Sequence, residues 1–506
     1  MLSQARAATE VILTLASDSS LPPRADPGGF RFDNSWLRDL PGTFVAQAPD
    51  TAPAPQILLL NRALAGTLGL EPDALLAHPG WFAGGALPQG AEPVALAYAG
   101  HQFGGFSPQL GDGRAHLLGE HVAPDGRRWD IQLKGSGRTP FSRGGDGKAA
   151  LGPMLREYLI SEAMAALGVP TTRSLAVALT GETVRREAGR LPGAVVTRVA
   201  ASHLRVGTLQ FWAARGDHGT LARVVDYAIA RHDPDLIGRD DRVLAFFDRV
   251  TARQARLVAQ WMGLGFVHGV LNTDNVALSG ETIDYGPCAF MEAYAPGTVF
   301  SSIDHQGRYA YANQPLILGW NLAKLAEALL PLLGEAEPAV AVLNDRLDRV
   351  AGLYRAEWLR VMREKLGLAG EAAADGDLAD GFLAAMDGQG ADWTLAFRHL
   401  ARAAEGDAGP LRAQFADPAR LDAWLGPWRA RLRDDAPEHL RRTNPLVIPR
   451  NHKVEEALAA AGQGDLAPFT ALLAQVSDPY SEASGREAFS LPAPTGFGDY
   501  VTFCGT

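Results

Sequence analysis

The chain has 506 residues, 47% of them hydrophobic and 21% charged, which suits about three domains or one large two-part unit and excludes a wholly disordered chain. Its 47 basic and 57 acidic side chains leave a net charge of −10, which argues against a broad nucleic-acid footprint but leaves room for a local basic pocket. No apolar run reaches ~18 residues, and two cysteines, Cys288 and Cys504, are too few for a disulfide framework or a cysteine-based zinc site.

Residues 1–95 are rich in Pro, Ala and Gly and read as an extension that wraps a later core. Its apolar stretch Val11 to Ala16, preceded by Glu10, is too short and too acidic for a signal peptide, so a cytoplasmic protein without a membrane segment is expected. Residues 96–200 read as β-rich. His116 to Val122 is a strand, Pro124-Asp125-Gly126 a turn, and Trp129 to Lys134 a strand alternating Trp129, Ile131, Leu133 against Asp130, Gln132, Lys134. Further strands are expected around Leu175–Leu179 and Ala194–Val199, and Ala150 to Leu167 has helical periodicity. Residues 201–475 read as helical. Val243 to Met262 is an amphipathic helix stopped by Gly263, Val276–Leu278 and Thr282–Ile283 are short strand candidates, and helices follow over Pro315–Leu333 and Ala339–Lys365. Residues 476–506 read as a tail.

Three segments carry chemistry. Gly111-Asp112-Gly113-Arg114, before the first of these strands, is a glycine turn of the kind that lets backbone N–H groups approach phosphate. Lys134 ends an alternating strand on its polar face. Taken alone it is a solvated lysine; with a helix carboxylate beside it, it becomes a phosphate-binding one. It is one of only five lysines, the other 42 basic residues being Arg. Two glutamates follow on the next helix, Glu157 and Glu162, and periodicity slightly favours Glu162, which shares a stripe with Leu155 and Leu159. The third segment, Gly265 to Leu278, holds His268, Leu271 and Asn275 at the spacing of a kinase catalytic loop, with Asp284-Tyr285-Gly286 standing for D-F-G. Asn and Asp oxygens suit Mg²⁺ or Mn²⁺ bridging nucleotide phosphates. The order of these parts predicts an α+β, protein-kinase-like two-lobed fold. The position of the kinase base is Val270, which accepts no proton, and Asp274 is the nearest spare carboxylate.

The runs Gln109–Glu120, Gln132–Gly147, Gly265–Pro287, Asp304–Pro315 and Asn444–His452 closely resemble the YdiU/selenoprotein O family, over nearly the whole chain. The resemblance implies a pseudokinase-fold enzyme that binds ATP flipped relative to kinases and transfers AMP, in some members UMP, to Ser, Thr or Tyr hydroxyls of proteins with release of pyrophosphate. By that resemblance Gly111, Gly113 and Arg114 contact nucleotide, Lys134 contacts phosphate and pairs with Glu157, and Asp146-Gly147 contact nucleotide. Arg198 and Arg205 clamp phosphates, Asn275 and Asp284 hold the metal, and Asp274 is the base. Fixed cations at these positions would offset the charge of a departing pyrophosphate.

His101, His268, His305 and His452 show no metal-ligand spacing and read as structural. Cys504 stands where some family members carry selenocysteine, and a redox pairing with Cys288 is one reading against inert thiols. The expected partners are protein substrates, with no nucleic acid and no membrane, and the chain is expected to be a monomer. Two alternatives stay open: an unusual phosphotransferase, and a catalytically dead pseudokinase that serves as a binding scaffold.

Overall fold

The computed structural model describes residues 27–187, 189–497 and 500–502. The fold is α+β: an antiparallel sheet built mainly before residue 201 and a helical body after it. The sheet strands are β1 (Phe44–Ala46), β2 (Gln56–Leu60), β3 (Val94–Leu96), β6 (Ala115–Val122), β7 (Arg128–Lys134), β8 (Ala149–Ala150), β9 (Arg173–Arg186) and β10 (Gly189–Ala200). A separate hairpin, β4 (Gly100–Gln102) and β5 (Gly105–Ser107), lies between β3 and β6 in sequence. The sheet order is β1-β3-β6-β7-β10-β9-β2, with β8 on β10. Three of its strands thus come from before residue 97.

Alternation along β7 separates two buried faces. Ile131 and Leu133, with Leu175, Val195 and Val199, pack against Phe30, Phe32, Leu64, Trp81 and Phe82 of the chain's first hundred residues. Each such side chain contributes roughly 1.5–3 kcal/mol when fully buried. The other face carries Asp130, Gln132 and Lys134, paired in register with Ala200, Arg198 and Val196 of β10. These polar residues are also buried, Lys134 being 7% exposed. Lys134 is therefore not the solvated strand-end lysine that its position alone suggests.

Helix α1 (Leu151–Ala166) lies on this polar face. After β10 come α2 (Val206–Ala213), α3 (His218–His232) and α4 (Arg242–Leu264). Gly263 is not the stop of α4: it lies inside the helix, where a Cβ would sit 2.5 Å from Val361 Cγ1. The cap is Gly265, at φ 69°, the left-handed conformation that suits a helix end. The loop beyond it returns through β11 (Phe266–Val267) and β12 (Ala289–Phe290) before α5 (Gln314–Leu329). Val276–Leu278 and Thr282–Ile283 do not form strands. Each reaches only one bridge, Ala277 to Arg205 and Thr282 to Thr171, because the loop turns away after a single pairing. The region expected as helix over Ala339–Lys365 is two helices, Ala336–Leu347 and α6 (Val350–Leu366), and more helices run to Val476. Past Val476 the chain returns to the core: Tyr500 bonds Arg156 and Glu455, and Thr502 Oγ1 donates to Pro287 O at 2.7 Å. No helix among the described residues is long and apolar enough to cross a membrane.

Candidate active site

A cavity of about 940 Å³ opens between the sheet and the loops around Asp274 and Asp284. Gly111, Gly113, Arg114, Lys134, Asp146, Gly147, Arg198, Arg205, Asp274, Asn275 and Asp284 all line it. These are eleven of the twelve residues singled out from the sequence, and they come from segments spread over more than 170 positions. Glu157, the twelfth, stands behind Lys134 and Arg198. Nine Lys or Arg side chains line the cavity against five carboxylates, in a chain whose net charge is −10.

The centre is a buried cluster of charges. Lys134 Nζ donates to Glu157 Oε2 at 2.5 Å and also to Asp284 Oδ1. Arg198 Nε donates to Glu157 Oε1 at 2.8 Å, its Nη2 bonds the same oxygen, and Nη2 lies 3.6 Å from Asp284. Burial pushes the Glu157 carboxyl upward, but Arg198 and Lys134 outweigh it and hold it below the usual range. Asp284 is driven further down: burial again opposes ionisation, and Lys134 and Arg198 together overcome it. Asp284 also sits at φ 70°, a left-handed conformation uncommon outside glycine and among the ways a site holds backbone strain.

Glu157, not Glu162, is the lysine's partner. Glu162 accepts from Arg173 Nε at 2.9 Å, Asn61 Nδ2 at 2.7 Å and Ser174 N at 3.1 Å. The preference that periodicity gave Glu162 fails for a physical reason. From Met154 to Met164 every residue of α1 is buried, so the helix has no wet face for a hydrophobic stripe to be measured against.

Two loops form the rim beside Lys134. Gly111 has φ 78°, and a Cβ there would meet the Phe141 ring at 2.3 Å. Gly147 has φ 70°, and its Cβ would lie 2.1 Å from Gly137 O. Only glycine fits against that ring at the first position and against that carbonyl at the second. Thr139 Oγ1 donates to Asp112 O at 2.6 Å and ties the loops together. Asp146 is held by both Nη atoms of Arg186, at 2.8 and 3.2 Å, and these contacts overcome burial to keep its carboxyl below the usual range.

The third wall is the loop from His268 to Asp284. His268 Nε2 bonds Ile283 O at 3.0 Å and braces it. Asn275 Nδ2 donates to Val270 O at 2.9 Å, leaving its amide oxygen as the other polar end of the side chain. Arg205 Nη1 donates to Asp274 O at 3.0 Å, and its guanidinium lies 4.3 Å from the centre of the Tyr98 ring. Burial pushes the Asp274 carboxyl up to about 6, against the pull of Arg205. Its Oδ2 accepts from Gln102 Nε2 at 3.4 Å, and its Oδ1 has no hydrogen-bond partner among the described residues. A buried carboxylate oxygen left without a partner is costly, and a ligand hydroxyl would satisfy it.

The sequence reading did not single out Gln102, Arg138, Arg143, Lys148, Arg185 and Arg186, all of which line the cavity. Arg138 and Arg143 lie within the Gly-rich run after β7, where arginines inside glycine turns were the available signal, whereas Arg185-Arg186 end β9 and carry no such signal. Cys288 is buried, and burial pushes its thiol up to about 12, where it is a poor nucleophile. Cys504 lies outside the described residues, and so does any pairing with it.

A cavity lined by so many fixed cations, with hard oxygens at one wall, suits a polyphosphate ligand. A family model described as "Protein adenylyltransferase SelO" matches residues 32–477. A protein from Cereibacter sphaeroides named "Protein nucleotidyltransferase YdiU" is 62% identical over 481 residues, covering 94% of this chain and all of the relative. Relatives of the same name from Rhizobium johnstonii and Sphingopyxis alaskensis are 54% identical over 500 residues and 52% identical over 486, covering 96% and 94% of this chain and all of each relative. The chain belongs to the protein adenylyltransferase SelO family.

Proposed function

We propose that this protein is an adenylyltransferase that moves AMP, or alternatively UMP, from the nucleoside triphosphate to Ser, Thr or Tyr hydroxyls of other proteins, in a kinase-like two-lobed fold. The observation that carries this reading is the convergence of eleven residues, some read from motifs and the rest carried over from the resemblance, on one cation-rich cavity, joined to the family membership. The β-rich region and the helical body are the two lobes, with the triphosphate between them. Lys134, Arg198 and Arg114 neutralise the β- and γ-phosphates. Glu157 and Asp284 hold Lys134 and Arg198 in place before any nucleotide arrives. Arg205 fixes the Asp274 backbone.

Asn275 and Asp284 supply the hard-oxygen donors that Mg²⁺ or Mn²⁺ prefers, and the partner-free oxygen of Asp274 beside them is consistent with a polar ligand there. Asn275 and Asp284 would hold the cation, which would offset phosphate charge. With ATP flipped, the acceptor oxygen attacks the α-phosphorus, the bond between the α-phosphorus and the bridging oxygen breaks, and pyrophosphate leaves. Asp274 accepts the hydroxyl proton. Val270 at the ordinary kinase base position has no part in this, since it is apolar and buried.

The test is the label that reaches protein. Incubation with ATP and either cation should place the α-phosphorus, not the γ-phosphorus, on an acceptor protein, with the mass of AMP added to a peptide. Transfer of the γ-phosphorus would make it a phosphotransferase. No transfer of either, with ATP still bound, would make it a scaffold.

A further inference from the structure

The hairpin β4–β5 packs against the separate loop that carries Asp274. Its backbone is tied down at two points: His101 N donates to Thr273 Oγ1 at 2.8 Å, and Phe103 N is shared between Asn272 Oδ1 at 3.3 Å and the Tyr309 hydroxyl at 3.1 Å. A Cβ on Gly100 would meet Asp274 Oδ1 at 2.7 Å, so backbone passes directly against the carboxylate. Gln102 reaches from the hairpin to Asp274 Oδ2. A surface this rigidly joined to Asp274 keeps its distance to any group that Asp274 serves.

The outer side of that hairpin is apolar where a solvated turn would be polar. Phe103 is 39% exposed and Phe106 is 42% exposed, side by side with Gly104 and Gly105. Phe103 takes φ 51°, which glycine or asparagine would adopt more easily. Half-buried and buried rings back these two phenylalanines. Phe106 lies 4.8 Å from the His101 ring, His101 lies 5.2 Å from Trp320, and Phe103 lies 5.0 Å from Tyr309, all between ring centres. Arg308 sits in the middle, its guanidinium 4.7 Å from the centre of Trp320 and 3.8 Å from where a Gly104 Cβ would be. Its backbone N donates to Asp304 Oδ1 at 2.9 Å, but among the described residues its guanidinium forms no ion pair with a carboxylate, and its Nε has no hydrogen-bond partner. Lys324, 5.4 Å from the centre of the Trp320 ring, is already paired with Glu327 at 2.7 Å, which leaves Arg308 as the cation open to a partner. Exposed aromatics around an unpaired guanidinium mark an interaction surface, and aromatic side chains with Arg are the residues that most often anchor one.

We propose that this surface docks the acceptor segment of the protein substrate, and that it selects a hydroxyl flanked by an aromatic or apolar side chain and a carboxylate. The proposal rests on the adenylyltransferase reading, because it takes Asp274 as the group that faces the hydroxyl. The apolar flank lies over Phe103 and Phe106, and the carboxylate meets Arg308, whose charge is complementary to it and, among the described residues, is met by aromatic rings but by no carboxylate. The hydroxyl between them is carried past Gln102 to the free oxygen of Asp274.

The test uses the full chain, α-labelled ATP and two synthetic peptides that share one Tyr, Ser and Thr acceptor set. One peptide places Phe and Glu beside each acceptor; the other replaces each Glu with Lys. Wild-type protein should label the acidic peptide with the lower KM. Phe106→Ala should raise that KM at least tenfold while ATP affinity, measured by calorimetry, stays within twofold. Arg308→Glu should reverse the preference toward the Lys peptide, a gain that a misfolded variant would not show. Equal use of both peptides by the wild type, no labelling of the acidic peptide, or unchanged acceptor KM in both variants would overturn the proposal. Transfer of the γ-phosphorus would instead sink the adenylyltransferase reading, and the acceptor KM values would still decide the docking surface.

Discussion

Lys134 and Lys365 are both buried lysines, 7% and 5% exposed, in regions that treat the charge in opposite ways. Lys134 ends β7 between two carboxylates, Glu157 and Asp284, with Arg198 on the same glutamate. Lys365 lies near the end of α6 among packed helices. Its Nζ donates to Asn444 Oδ1 at 2.8 Å and stands 4.3 Å from the centre of the Phe397 ring, and among the described residues it forms no ion pair with a carboxylate. Burial pushes the Lys365 ammonium down to about 7. The lesson is that burial alone does not make a lysine functional. Around Lys134 the charges are paired with each other and open onto a cavity of about 940 Å³, so a polyanion can join a network that already exists. Around Lys365 only an amide and a ring answer the charge, and neither calls for a ligand.

The sharpest way to break the Lys134 side of this comparison is at the carboxylates that face the cavity. Asp284→Ala should reduce nucleotide transfer at least a hundredfold, since it removes a candidate metal ligand and one anchor of Lys134. Glu157 remains to balance the cations, so the thermal midpoint should move only a few degrees; calorimetry and a transfer assay read both. Asp274→Ala should cost ~10²–10⁴-fold in transfer with ATP affinity within a few-fold, because a general base adds to the chemical step and not to binding. Val270→Asp in that background should not restore it. Creation of γ-phosphate transfer by Val270→Asp would place ATP in the ordinary kinase orientation.

The next test separates the two glutamates. Glu157→Ala leaves Lys134 and Arg198 buried with one carboxylate between them, and removing a partner from a buried ion cluster costs ~3–5 kcal/mol. Urea unfolding should read that loss, and ATP affinity should fall with it. Glu162→Ala removes the partner of Arg173, which is a quarter to a third exposed and can be rehydrated, so its stability loss should be smaller. Its ATP affinity should be unchanged. Equal effects on ATP from both variants would mean that the cluster is not what positions Lys134.

Much of the site was legible because its parts have fixed spacing. Asn275 and Asp284 stand nine positions apart on a loop whose backbone has little choice, and Lys134 ends a strand with clear alternation. Glu157 was not legible from pattern, since α1 is buried on every side from Met154 to Met164. The carry-over from related sequences put it in place where periodicity could not. Arg138, Arg143, Arg185 and Arg186 were lost among 42 arginines, because what distinguishes them is the long-range folding of two loops toward one cavity. The apolar face of β7 was readable as apolar, but what covers it was not. Phe30, Trp81 and Phe82 lie in a segment with no strong periodicity, and only tertiary packing assigns them to Ile131 and Leu133.

The smallest expected effect lies on the Lys365 side, and its sign follows from linkage. An ordinary lysine in the unfolded chain holds its proton up to about 10.5, whereas folded Lys365 releases it at about 7. Between those values the unfolded state binds more protons than the folded state, so stability rises with pH from about 7 to about 10. Below about 7 both states hold the proton, and the folded state carries the full cost of a buried ammonium. Lys365→Met keeps the length of the side chain and removes the proton. The variant should therefore be more stable than the wild type at pH 6.5, by on the order of 1–3 kcal/mol, and the difference should shrink toward pH 9.5. Urea midpoints at the two pH values measure it, with nucleotide transfer as the control. A constant difference across the range would mean that Lys365 keeps its proton in the folded state, with Asn444 and the Phe397 ring sufficient to hold a buried charge. Lys134 would then differ from it in having paired carboxylates and a far larger cavity beside it, about 940 Å³ against about 190 Å³, and not in how well its ammonium is held.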